Sequence, residues 1–231
     1  MHWINIGLIF IAGLNLLLAI FVWLLNFKNK INITFSLGMV GVTLWAAFEA
    51  FIFMSSNSST IFFWGILTYV SGIFVALNFL LFSFYFPFEQ YKIKNSLLTF
   101  IFLIFVITIV ISSVPGVLVK EGVLGQNLKN NDLILNPTGF LIYAASFFLF
   151  FIWSFCNLFF KYIKGSGFVR RQLKYIIFGT FILFAFGSIF DLIVPYFKGE
   201  IFGWVGPYAT LIMMISVSLF LFFSGKKIYI K

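Results

Sequence analysis

Seven long apolar stretches predict an all-α membrane protein: a bundle of seven transmembrane helices with its N-terminus outside and its C-terminus in the cytoplasm. Three observations carry this prediction. First, 62% of the 231 residues are hydrophobic and 9% are charged, whereas a soluble domain is close to half apolar and a quarter charged. No water-soluble fold hides that much apolar surface. Second, each stretch reaches the roughly 20 residues needed to cross about 30 Å of hydrocarbon. Third, the basic residues crowd the connectors on one side.

The expected spans are 4–27, 31–54, 60–86, 96–114, 139–160, 175–196 and 204–223, within one domain covering 1–231. The first begins MHWINIGLIF. It lacks the positive start of a secretory signal, and its apolar run is too long for one, so it reads as a first transmembrane helix. All seven are continuously apolar and too long for the alternating strands of a membrane barrel, which argues for helices. Pro195 is expected to end or bend the sixth. Gly203, Gly206 and Pro207 suit a tight turn into the seventh.

Orientation follows from charge. Lys28, Lys30, Lys92, Lys94, Lys161, Lys164, Arg170, Arg171, Lys174, Lys226, Lys227 and Lys231 fall on one side, and Lys120, Lys129 and Lys198 on the other. Cytoplasmic connectors carry the excess of Lys and Arg, so the first side is cytoplasmic. Trp3, Trp64 and Trp204 then fall at the outer boundary, as an aromatic belt would place them. The net charge of +9 is thus explained by topology rather than by nucleic acid. The longest outer connector, 115–138, reads as a solvated loop, with a lid over an outer cavity as the alternative. The inner connector KYIKGSGFVRRQLK carries five basic residues around a Gly-Ser-Gly hinge and reads as a topology anchor that meets anionic head groups.

Two ionisable residues lie inside spans, Glu49 and Asp191. Both are about five residues from the outer end of an inside-to-outside helix, about 7–8 Å below it. Intramembrane acids are costly and are functional candidates. Facing an outer cavity, they can bind a cation or amine, or sense pH. The bland alternative is that each snorkels or bonds a neighbouring helix. Trp45 lies one turn before Glu49 on the same face, where it walls a pocket or simply packs. Asn15, Asn78 and Asn157 are expected to cross-link helices, and Cys156 to act as a small buried hydrophobe.

Several chemistries are excluded. The only histidine is His2, so no intramembrane catalytic triad and no catalytic metal cluster can form. There is no phosphate-binding Gly-rich loop. The last span has no lysine for a retinal Schiff base, and two acids at one depth make no relay across the bilayer. No catalytic, cofactor or metal residues are therefore expected, and the chain does not read as an enzyme.

Three passages carry a resemblance: LGMVGVTLWAAFEAFIF, with Trp45 and Glu49; LFSFYFPFEQYK, with Phe86 and Pro87; and VRRQLKYIIFGTFILFAFGSIFDLIVP, with Arg171, Gln172, Tyr175, Gly179 and Pro195. In these the chain resembles the seven-helix N-terminal region of prokaryotic membrane-bound histidine kinases. The resemblance implies a receptor module coupled through its last helix to a cytoplasmic kinase or other output domain. It supplies no ligand residues. The sequence stops at SGKKIYIK without a kinase domain, so the expectation is either an excised sensor or an output partner that is a separately encoded cytoplasmic protein.

Function is accordingly expected to be signal transduction at the plasma membrane. Glu49, Asp191 and Trp45 form a candidate ligand or proton-sensing site. Lys164, Arg170, Arg171 and Lys174 form a candidate contact for a cytoplasmic partner or for lipid. A second copy of the chain is a further candidate partner. The alternative is a small transporter or permease-like subunit using Glu49 or Asp191.

Overall fold

The computed structural model describes residues 2–88, 93–125, 131–194 and 205–223. Among these residues seven α-helices run in chain order: α1 His2–Leu25, α2 Lys30–Met54, α3 Ser58–Tyr85, α4 Asn95–Ser113, α5 Pro137–Lys164, α6 Gly167–Gly187 and α7 Val205–Phe223. A hairpin of β1 Val119–Val123 and β2 Asp132–Leu135 sits between α4 and α5. Helices α1 to α6, the last with its π-helical continuation through Ile193, are long and apolar enough to cross a membrane.

Local chemistry sets where three of these helices start. The Asn29 side chain accepts from the Ile31 and Asn32 amides, Asn57 from Thr60, and Asn136 from Thr138 just after Pro137. Each thereby satisfies amides that the first helical turn cannot. Helix α3 is the most buried of the six and α4 the least. Around α3 pack α2 and α5, while α1 lies on α2 and α7 on α6. Ile73, Ala76 and Leu80 of α3 are fully buried. An aromatic column of Phe79, Phe147, Phe151, Phe155 and Phe184 joins α3, α5 and α6, with ring centroids as close as 4.7 Å. Such close ring contacts add to the apolar packing and account for part of the heavy use of Phe.

Two interhelical bonds match the sequence expectation. Asn15 of α1 donates to the Thr210 hydroxyl of α7 at 3.0 Å, and Asn157 of α5 to the Ser83 hydroxyl of α3 at 3.2 Å. Asn78 differs: it donates at 2.8 Å to the Phe74 carbonyl of its own helix. Cys156 is also a correction. It is exposed on the outer face of α5 rather than buried, because the helical period turns it away from Ser154 and Leu158, which face inward.

The connector 115–138 is more than a solvated loop. Leu118, Val119 and Leu133 are buried, and the strands pair antiparallel with a register irregularity between Val119 and Glu121. Asn131 donates to the Ile52 and Ser55 carbonyls at the end of α2, each at 2.8 Å. Gly122 lies so close to the Ser58 carbonyl and Ile61 that a side chain there has no room. The hairpin therefore caps this end of α2 and α3. The opposite end collects Lys30, Lys94, Lys161, Lys164, Arg170, Arg171 and Lys174.

The inner connector is nearly all helix. Helix α5 continues to Lys164, only Gly165 and Ser166 intervene, and α6 begins at Gly167 with φ +53°. Arg170, Arg171 and Lys174 thus lie on the first turns of α6 rather than in a loop. Helix α6 ends not at Gly187 but in a π-helical segment, Ser188–Ile193. The expected break at Pro195 lies outside the described residues, as do Gly203 and Trp204. Gly206 and Pro207 lie within the first turn of α7. Trp3 is exposed, and Trp64 packs among Phe48, Phe51 and Phe63.

Candidate functional site

Toward the hairpin end, α2, α3, α5 and α6 enclose a cavity of about 50 Å³. Its polar lining is Trp45 and Glu49 from α2, Thr68 and Tyr69 from α3, Tyr143 from α5 and Asp191 from the π-helical segment. The helical period brings Trp45 and Glu49 onto one face; both are buried, Glu49 to 2% exposure. Both Asp191 carboxylate oxygens are buried as well. The wider turn of a π-helix shifts the angular position of its side chains, and such segments recur at functional sites.

The surrounding groups hold the site in shape. The Tyr143 hydroxyl donates to the Tyr69 carbonyl at 3.0 Å, and the two rings meet edge to face with centroids 5.1 Å apart. Gly72 leaves the space that the Tyr143 hydroxyl occupies. On the far side, Gly206 of α7 lies against the Asp191 carboxylate and the Trp45 indole, so that any side chain at 206 would collide with both. Gly187 approaches the same two groups. The first turn of α7 therefore packs directly against the site. Gly206 carries more than the turn role its sequence position suggests; the pairing of a Gly with an intramembrane Trp and acid on other helices becomes visible only once the helices are packed.

The size of the cavity limits its chemistry. About 50 Å³ holds a few water molecules, whereas organic ligands occupy sites of roughly 300 Å³ or more. Two carboxyls, a tyrosine hydroxyl and a tryptophan face around such a space can exchange a proton or hold a small cation. Among the described residues no group of three His, Cys, Asp or Glu side chains is placed to hold a metal ion. A second cavity, of about 40 Å³, lies deeper and shares Val75, Phe151 and Leu183 with the first. Its polar lining is Thr34, Asn78 and Thr180. The two small cavities thus share three apolar side chains, and the lining of the second is almost wholly apolar.

At the basic end, the candidate contact residues Lys164, Arg170, Arg171 and Lys174 are all exposed. Arg170 lies over the Tyr162 ring, 4.8 Å from its centroid. Sequence reasoning counted Lys161 only as topology. In the structure its ammonium donates to the Ser83, Phe84 and Phe86 carbonyls at 2.8, 2.7 and 2.6 Å. These belong to the end of α3, where carbonyls lack helical partners and the dipole favours a cation. The available signal was a lysine in the last turn of α5 together with an α3 exit interrupted by Pro87.

A comparison with protein families finds one described as the N-terminal 7TM region of histidine kinase, matching residues 7–225. No curated protein matches the chain.

Proposed function

The chain belongs to the N-terminal 7TM region of histidine kinases, a membrane sensory module, and from that premise we propose that it receives a proton or a small cation at the Glu49–Asp191 cavity and passes the change to a cytoplasmic output unit. The family region is a sensor rather than a catalytic domain, and the protein is a multi-pass protein of the plasma membrane. We read it as a non-enzyme whose output is a kinase or other signalling protein.

In this reading α7 is the seventh span, the N-terminus lies outside and the basic end faces the cytoplasm. The concentration of Lys and Arg at one end supports that orientation. A reporter that works only in the cytoplasm, fused after Lys231, is expected to be active; activity from an export-requiring reporter at the same point would reverse the topology.

One observation carries the sensing role: Trp45 and Glu49 of α2 and Asp191 of the π-helical segment line one small cavity, and Gly206 of α7 packs against Asp191 and Trp45. A ligand shifts an equilibrium only through different affinities for its two states. Charging or neutralising the pair changes what α6 and α7 meet at this point, which gives such a difference. Movement of α6 relative to the bundle then reaches Arg170, Arg171 and Lys174 on its first turns. These, with Lys164, are the proposed contact for the output unit or for lipid.

The test is signalling in the native membrane. Deleting the chain is expected to change the output of a kinase that co-purifies with it, and Glu49→Gln with Asp191→Asn is expected to lock that output in one state. An output unmoved by outside pH or small cations, in wild type and variant alike, would contradict the reading. The transporter alternative predicts instead that proteoliposomes accumulate substrate and that Glu49→Gln abolishes uptake. The almost wholly apolar lining of the second cavity supports the sensor over it.

A further inference from the structure

A larger groove opens at the basic end, between the exit of α3, the start of α4, the end of α5 and the start of α6. Its volume is about 530 Å³, within the range of sites that hold whole molecules. One side is apolar, with Phe84, Phe88 and Phe160; the other carries Lys94, Lys161 and Lys164. The Lys161 ammonium is committed to the α3 carbonyls and forms part of the floor. Lys94 and Lys164 are exposed, so their charges are available to an occupant.

No carboxylate lines the groove among the described residues; Glu89, nearby in sequence, lies outside them. Phe88 and Phe160 are 55% and 63% exposed, and Phe160 lies about one turn before the end of α5. Helix α4 forms one flank and is the least buried span, which leaves that flank open to lipid. The starts of α4 and α6 also lie here, and neither receives a side-chain cap, in contrast to α2, α3 and α5.

We propose that this groove binds one anionic phospholipid, its phosphate between Lys94 and Lys164 and its acyl chains against Phe88 and Phe160. The charge complementarity selects an anion, and the apolar wall opening sideways at membrane depth selects one that carries chains. Basic pockets between transmembrane helices at the cytoplasmic face take anionic head groups on the same physical grounds. Because the groove touches both the hinge at Gly165 and the start of α6, the bound lipid sits beside the helix that carries Asp191.

Native mass spectrometry of the full chain, in detergent with equal amounts of phosphatidylglycerol and phosphatidylcholine of matched acyl chains, tests this directly. Wild type is expected to retain phosphatidylglycerol about tenfold over phosphatidylcholine. Lys94→Gln with Lys164→Gln is expected to bring the two lipids to parity. Lys28→Gln with Lys30→Gln removes the same charge outside the groove and is expected to keep the preference. Equal retention of the two lipids by wild type would overturn the site. So would an equal loss of preference in the two paired variants, which would reduce the effect to general surface charge.

Discussion

The two ends of the bundle handle polar chemistry in opposite ways. At the hairpin end, acids are drawn inside: Glu49 and Asp191 line a cavity of about 50 Å³, and Gly206 of α7 packs against Asp191. At the basic end, charge stays at the rim. Lys164, Arg170, Arg171 and Lys174 are exposed, and the partly buried ammonium of Lys161 is anchored to three carbonyls. In the proposed function the first arrangement is the responsive one, because a change of one proton or small ion in a low-dielectric chamber alters packing. The second is fixed, because a lysine holding a helix terminus gains nothing by moving. A module that receives at one end and reports at the other needs this asymmetry.

The largest stability effect is expected from Lys161→Met. The substitution keeps the apolar stem but removes three charge-assisted bonds and leaves the α3 exit uncapped. A loss of about 3 kcal/mol is expected, read as a lower midpoint of unfolding in detergent. A loss below about 0.5 kcal/mol would show that water replaces the ammonium and that the basic end is less fixed than argued.

Gly206→Ala comes next. A methyl group there meets the Asp191 carboxylate and the Trp45 indole, and overpacking of this kind costs about 1–3 kcal/mol. The distinguishing expectation is local: the response to outside pH or small cations is lost while the basic end is unchanged. A substitution that left the response intact would detach α7 from the site. Asn131→Ala frees the hairpin from the Ile52 and Ser55 carbonyls and is expected to cost about 1–2 kcal/mol, with faster proteolysis within the connector as the readout. The smallest effect is expected at Asn15→Leu, which removes the α1–α7 bond at about 0.6 kcal/mol.

The helices were legible because lipid demands long apolar runs, and the acids because charge inside such runs is costly. The depth shared by Glu49 and Asp191 was readable from their distance to the helix ends. Their convergence on one cavity was not, since it depends on which faces pack. The hairpin hid inside a connector too short and too polar to show alternation: VKEGV and DLIL place only a few residues inward. Lys161 looked like every other basic residue of its connector, because capping a neighbouring helix depends on where that helix ends in space. Cys156 was misjudged because in a lipid-exposed helix apolar neighbours in sequence carry no information about facing inward. The start of α6 at Gly167 was missed because its first turn is basic, and a basic turn at the membrane edge resembles a loop.

The central claim is that the outer acids control the inner start of α6. A fluorine label at Lys174→Cys in a Cys156→Ser background reports on that start, since Cys156 is the only native thiol. Spectra of the protein in phospholipid nanodiscs, recorded while pH is stepped, are predicted to show two exchanging environments whose populations change with pH. With Glu49→Gln and Asp191→Asn added, one environment is predicted to persist throughout. A label that responds to pH identically with and without the acids, or not at all in their presence, would contradict the account.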